Sequence, residues 1–323
     1  MKKVTVSAPG KLMLLGEHAV VYGHPCIVTA VGQRMFLTAE IDNDPNFTFE
    51  AKDVGVHGHK KAMAKLGQGM VEKNVRFVEL AVKNFTDKFS LKKGIKITTK
   101  SEFASTLGFG SSSAATVCTI KALCELFDIK LENKDMFKIA YKTVLDVQGK
   151  GSGFDVAAAI FGGTLYFVTG GKTIKPLAIG RLPLVVGYSG VKADTVTLIN
   201  QVADKASRYP KVVENIYKNI AEIVEMAKTA LLKEDWVAFG ELMNFNQGYL
   251  EALGVGTDKL SAMIYAARNA GAYGAKLSGA GGGDCMISLV EDSIQQTIRS
   301  AIEKAGGEVI DVETNVEGVR VEK

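Results

Sequence analysis

Leu107-Gly108-Phe109-Gly110-Ser111-Ser112-Ser113-Ala114-Ala115 sets two glycines and three serines directly ahead of a helix-like segment. Gly108 and Gly110 are free to take positive φ and let a ligand approach the backbone, while the serines supply hydroxyls and an N-cap. The unpaired amides of a first helical turn, at the positive end of the helix dipole, attract an anion. Behind the loop, Val117, Ile120, Cys124 and Phe127 recur at three- and four-residue steps and predict one apolar helix face. The stretch reads as a phosphate seat built from Gly108, Gly110, Ser111, Ser112 and Ser113, although a Gly/Ser run alone also fits a plain connection.

Two further segments bear on that reading. Near the start, the strand-like Val4–Ala8 runs into Pro9-Gly10-Lys11-Leu12-Met13-Leu14-Leu15-Gly16-Glu17-His18-Ala19-Val20-Val21-Tyr22-Gly23, where Lys11, Glu17 and His18 stand among apolar residues. Taken alone, this also fits a buried edge segment whose Lys and Glu pair for structural reasons. Late in the chain comes Lys276-Leu277-Ser278-Gly279-Ala280-Gly281-Gly282-Gly283-Asp284-Cys285, followed by the strand-like Met286–Val290. Four glycines in five residues there leave space for a ligand or let two backbones meet.

In order and separation, the three segments resemble the signature motifs of the GHMP small-molecule kinases, and the resemblance covers nearly the whole chain. Gly16–Gly23 and Asn246–Val255 are most similar to family members that phosphorylate mevalonate. Gly151–Ala159, Gly282-Gly283-Asp284 and the tail around Val309–Val312 and Gly318–Arg320 look like members that act on 5-phosphomevalonate. The resemblance implies a two-domain α+β fold with the active site in the cleft between the domains. It implies transfer from ATP to the 5-hydroxyl of mevalonate, with 5-phosphomevalonate as the alternative acceptor, and Mg²⁺ as cofactor.

Residue by residue, the resemblance makes Asp155 the catalytic aspartate and Lys11 the lysine paired with it. Ser112 matches a magnesium-bound serine, and Glu17, His18 and Thr195 match acceptor-binding positions. Gly281 and Gly282, with Gly283, would close the third motif on the phosphates. On its own, Asp155 also fits a turn or helix cap after Gly153, and Thr195 an N-cap. An adjacent ammonium favours the ionised aspartate, which either abstracts a proton or only positions charge.

The sequence departs from the family pattern at several places. A magnesium-binding glutamate expected about eleven residues before the aspartate is replaced by Val144. Either Asp146, the nearest carboxylate, substitutes, or magnesium relies on Ser112, phosphate and water. Lys150-Gly151-Ser152-Gly153 stands where an Asn-Pro-Ser-Gly run is usual, and the proline before the phosphate loop is absent. An already phosphorylated acceptor needs extra cations, for which Lys150 and Lys192 are candidates. Glu17-His18 weighs toward an unphosphorylated one.

The chain of 323 residues is 47% apolar and long enough for two packed domains, which we expect at 1–185 and 186–323. A net charge of +4 suits anionic small substrates and falls short of a nucleic-acid-binding signature. Lys92, Lys93, Lys96 and Lys100 read as a solvated strand face. Four cysteines without CxxC spacing imply a reducing cytoplasm, and no continuous apolar segment suggests a signal peptide or membrane span. His57-Gly58-His59 lacks a third ligand and reads as a solvated loop. A homodimer is a family-level expectation.

Periodicity predicts an N-terminal sheet over residues 4–50 and 95–99, a helix over 60–89, and strands at 164–168 and 182–186. Helices follow over 195–253, divided at Pro210, then at 259–270 and 293–305, with a last strand after them. A non-catalytic sensor of this fold would be expected to lose Asp155 or Lys11. A dehydrogenase would need a G-x-G-x-x-G after a strand with an acid about 20 residues on, which is missing.

Overall fold

The structure is a computed structural model and describes residues 2–323. Strands β1 (Lys3–Leu15), β2 (Pro25–Asp42), β3 (Asn46–Ala51), β4 (Val56–Ala62), β5 (Gly94–Ser101), β6 (Thr164–Val168) and β7 (Thr173–Leu177) build the larger sheet. Strands β8 (Leu184–Tyr188), β9 (Gly274–Ser278), β10 (Cys285–Leu289) and β11 (Glu308–Ile310) build the smaller one in the order β11-β8-β10-β9. Strand β12 (Arg320–Val321) returns to the larger sheet and pairs with β1. The long β2 pairs with β1 along most of its length, with β6 through residues 25–29 and with β5 through residues 35–42. All pairings are antiparallel except β3 with β5.

Helices α1 (Arg76–Phe89), α2 (Ser111–Leu126), α3 (Asn133–Gln148) and α4 (Phe154–Phe161) pack on the larger sheet. Helices α5 (Thr195–Arg208), α6 (Pro210–Leu232), α7 (Trp236–Leu253), α8 (Asp258–Asn269) and α9 (Gln295–Lys304) accompany the smaller one. Strand β1 explains why the layers meet. Successive side chains of a strand point to opposite faces, and here both faces are covered. Val6, Ala8 and Met13 join a core with Val117 and Ile120 of α2, while Leu12 and Leu14 join Leu184, Val186 and Ile287 of the smaller sheet. A strand covered on both sides is expected to read as a continuous apolar run, which accounts for Leu12-Met13-Leu14-Leu15.

The chain passes from the larger to the smaller sheet between Leu177 and Leu184. Its last residues then come back. Arg34, almost fully buried on β2, donates to the Ser7 hydroxyl at 2.6 Å and carbonyl at 3.1 Å, and to the carbonyls of Glu317 at 3.1 Å and Gly318 at 2.7 Å. The fixed fork of the guanidinium thus fastens the tail beside β1.

Two local expectations change. The helix predicted from residue 60 begins at Arg76. Val56–Ala62 is strand, and Gly67 and Gly69 take φ of 73° and 69°, which no helix accommodates. His57 and His59 therefore lie on β4, not in a loop, and His59 Nε2 sits 3.4 Å from the buried carboxylate of Glu79. The lysine reading is refined by β5, where Lys96 and Lys100 alternate outward against buried Ile95, Ile97 and Thr99. No helix among the described residues is long and apolar enough to cross a membrane.

Candidate active site

A cleft of about 520 Å³ lies between the two layers and is lined from both. Its floor is the loop before α2. Gly108 and Gly110 take φ of 74° and 81°, and Gly110 is the N-cap of the helix. The serine N-cap expected from the sequence is not formed: no side chain caps the first turn. Ser111, Ser112 and Ser113 line the cleft, so their amides and the hydroxyls of Ser111 and Ser112 are available to an anion, while the Ser113 hydroxyl is given to Asp155.

Two more helices begin at the same space. Gly153, with φ 90°, is the N-cap of α4, and Asp194 is the N-cap of α5; both line the cleft. Three helix starts therefore face the cleft, but α4 carries Asp155 in its first turn and α5 is capped by the Asp194 carboxylate, so α2, without an acidic residue in its first turn, offers the positive end to a polyanion. A side chain at Gly153 would approach the Tyr141 ring to 2.7 Å, so the residue also lets α4 start close against α3.

Asp155 stands in the first turn of α4. Its Oδ2 accepts from the Ser113 hydroxyl at 2.6 Å, and its Oδ1 accepts from the Val156 amide at 3.0 Å. Lys11 comes from β1, whose amide donates to the Phe109 carbonyl at 3.0 Å and so backs the phosphate loop. The Lys11 ammonium donates to the Gly108 carbonyl at 2.6 Å and lies 5.5 Å from the centre of the Phe154 ring. Both side chains flank Gly110: a Cβ there would lie 3.2 Å from Lys11 Cε and 3.7 Å from Asp155 Cβ. They are neighbours but not the ion pair expected from the sequence, because each is held by the phosphate loop instead.

Glu17 and His18 follow the strand through a strained turn, with Gly16 at φ 101° and His18 at φ 59°. A Cβ at Gly16 would meet the Pro25 and Cys26 backbone at 2.6 Å, so only glycine allows the turn. His18 Nε2 donates to the Ala280 carbonyl at 2.9 Å, joining the first motif to the third. Burial lowers the pKa of this imidazole, which is therefore neutral near pH 7 with Nδ1 left as an acceptor. The Glu17 carboxylate pairs with Lys276 of β9.

Other expected positions are placed differently. Thr195 is exposed at the mouth of the cleft and is not an N-cap; that role belongs to Asp194, which accepts from the Thr197 amide at 3.2 Å. Gly281 and Gly282 do not line the cleft. The Gly282 amide donates to the Val255 carbonyl at 2.7 Å, and side chains at 281 and 282 would strike Val255 and Leu198. They pack the third motif against α5 and the end of α7, while Gly279, Ala280 and Asp284 face the cleft.

Asp284 was not anticipated as a cleft residue. It accepts from the Ala193 amide at 3.0 Å and presses against Gly108, where a Cβ would lie 2.5 Å from its Oδ2. Burial raises its pKa above the ordinary carboxylate value, against the pull of the Ala193 amide, Lys11 and Lys192.

Asp146 is outside the site. Val144 and Gln148, one helical turn apart on α3, face the cleft, and residue 146 is turned to the other side. Its carboxylate binds Asn84 Nδ2 at 2.9 Å and Lys142 Nζ at 2.5 Å. Asp146→Ala is expected to leave kcat and its magnesium dependence within about twofold. Rates across a magnesium titration check this, and a shifted magnesium requirement would return Asp146 to the site. Lys150 and Lys192 do reach the cleft, donating to Asn200 Oδ1 and, at 2.9 Å, to the Ser105 carbonyl. Lys73, which the sequence did not single out, joins them at its edge.

Comparison with known proteins gives two family-model matches: GHMP kinases N terminal domain over residues 76–163 and GHMP kinases C terminal over residues 227–308. The mevalonate kinase of Pyrococcus abyssi is 36% identical over 331 residues, covering 99% of this chain and 98% of that protein. The mevalonate kinase of Thermococcus onnurineus is 37% identical over 333 residues, covering 99% of each. Among solved structures, the Methanococcus jannaschii mevalonate kinase superposes with a TM-score of 0.81 at 24% identity, over 97% of this chain and 98% of that one.

Proposed function

This chain belongs to the GHMP kinase family, and from that premise we propose that it transfers the γ-phosphoryl group of ATP to the 5-hydroxyl of mevalonate. The observation that carries the proposal is full-length similarity to mevalonate kinases, joined to a cleft in which a phosphate loop, Lys11 and Asp155 are neighbours.

Phosphoryl transfer needs a cradle for phosphate charge, positive charge near the transferring group and an oriented hydroxyl. In this reading the amides of residues 111–113 and the hydroxyls of Ser111 and Ser112 hold the nucleotide's β- and γ-phosphates at the start of α2. Lys11 offsets charge on the γ-phosphoryl group. Asp155 accepts the hydrogen bond of the 5-hydroxyl and takes its proton as the new P–O bond forms and the bond to ADP breaks. Ser113 fixes the orientation of that carboxylate. Glu17 and His18 line the acceptor end, and Thr195 stands at its mouth.

Among the described residues no cluster of three or more His, Cys, Asp or Glu side chains forms a metal cage. A serine hydroxyl beside the phosphate seat suits Mg²⁺, which keeps much of its water and takes one or two protein oxygens together with phosphate. Ser112 is the side chain that would hold it, and the ion would neutralise charge on the β- and γ-phosphates. All four cysteines are free thiols, which supports a reducing cytoplasm as the site of action; a homodimer is part of the same reading.

ADP release measured side by side with mevalonate and with 5-phosphomevalonate tests the substrate. Preference for mevalonate is expected, and preference for the phosphorylated compound would overturn the substrate while leaving the fold intact.

A further inference from the structure

Behind the acceptor end of the cleft lies a buried lysine that the phosphoryl transfer does not use. Lys276 on β9 is fully buried and so is Glu17, at 0% and 1% exposure, and the two form an ion pair between the layers. The Lys276 ammonium also donates to the Leu277 carbonyl at 2.5 Å. Glu17 Oε2 is buried and has no protein partner, yet Glu17 lines the cleft. Neither feature is an efficient way to stabilise a fold. Buried ion pairs are often replaceable by apolar side chains without loss, and an unmade hydrogen bond on a buried charged oxygen is costly. Both features make sense if the free oxygen belongs to a ligand.

We propose that Lys276 is a positioning residue that keeps Glu17 ionised and aims its Oε2 into the acceptor end of the cleft. There Oε2 accepts a hydrogen bond from an acceptor hydroxyl other than the one phosphorylated. The inference rests on the proposed function for the acceptor being a hydroxy acid. An ionised carboxylate only accepts hydrogen bonds, so it selects a hydroxyl and turns the acceptor's own anionic end away. The surrounding scaffold holds this geometry. Asn246 of α7 accepts from the Gly16 amide at 3.1 Å, and Gln247 accepts from the Leu277 amide at 2.9 Å, fixing the backbone on both sides of the pair. The titratable and charged groups around Glu17 are Lys276 on β9, His18 beside it and the Cys26 thiol on β2, which also feels Asp155 of α4; α7 presents Asn246 and Gln247, the latter donating to Glu251 at 3.1 Å. Burial pulls the Lys276 pKa down and Glu17 holds it up, so each charge depends on the other.

The test is steady-state kinetics of Lys276→Met, Glu17→Gln and the double variant, with ATP and mevalonate, between about pH 6 and 9. In Lys276→Met the carboxyl loses its counter-charge and protonates more readily. KM for mevalonate is expected to rise about tenfold or more, increasingly toward low pH, with KM for ATP within about twofold. The uncharged double variant is expected to show the defect of Glu17→Gln alone, without the added pH dependence. An unchanged mevalonate KM in Lys276→Met, or equal and pH-independent loss for both substrates, would overturn the proposal. Should Lys276→Met not fold, the double variant decides: a mevalonate KM well above that of Glu17→Gln overturns it, and equality supports it. If the wild-type protein ignores mevalonate and uses 5-phosphomevalonate, the substrate reading fails separately. The same variants measured with that acceptor then support or overturn the role of Lys276 by the same criteria.

Discussion

Asp155→Asn is expected to retain ATP affinity while kcat falls at least about a hundredfold, the loss typical of a group that acts on the proton in the transition state. Asparagine keeps the size of the side chain, and its amide oxygen can still accept from the Ser113 hydroxyl, which now bonds Asp155 at 2.6 Å. What disappears is the negative charge and the capacity to take a proton from the attacking alcohol. The nucleotide phosphates are held in this reading by the start of α2, whose first turn no side chain caps, so binding is spared. Nucleotide binding and single-turnover rates measured on the same preparation separate the two effects. Turnover equal to that of the wild type would remove Asp155 from the mechanism.

Lys11→Met is expected to lower kcat by about a hundredfold to a thousandfold, the usual scale for deleting a preorganised electrostatic contact to developing charge. Methionine preserves the apolar stem, which flanks Gly110, and lacks the ammonium that donates to the Gly108 carbonyl and lies beside the Phe154 ring. That carbonyl belongs to the phosphate loop, so a modest weakening of ATP binding is expected alongside the larger loss in kcat. An unfolding midpoint close to the wild-type value would exclude a folding defect. Loss confined to KM for ATP, with kcat intact, would make Lys11 a ground-state binding residue and contradict its assigned part in transfer.

The portions of this site that could be read from the sequence are local. Glycines at positive φ ahead of a helix, with serines in its first turn, carry their chemistry in four or five consecutive residues. Gly108–Ser113 and Gly153–Asp155 accordingly sit in the structure as helix starts facing the cleft. What escaped depends on helical phase or on long-range pairing. Asp146 was the carboxylate nearest in sequence, but Val144 and Gln148 already define the inward face of α3, and a residue two positions away cannot share it. The glycine run permits close approach of either a ligand or a second backbone, and at Gly281 and Gly282 the approach is to the Val255 backbone and the Leu198 side chain. Lys276 did leave a signal, a lone lysine inside the apolar strand Gly274–Ser278, where burial demands an opposite charge. Its partner lies 259 positions away, which no local pattern reveals. The helix predicted from residue 60 starts only at Arg76 because Gly67 and Gly69, at positive φ, separate β4 from α1.

The return of β12 to β1 makes the smaller layer, in topological terms, an insertion within the larger one. On the ribosome this imposes an order of assembly. The edge of β1 at Val6 and Ser7 stays open, a template for stray pairing, until Arg320 and Val321 have been made, more than 300 positions later in the chain. The nascent larger sheet must therefore tolerate a bare edge there until β12 is made, and Arg34 is already in place to capture the arriving segment.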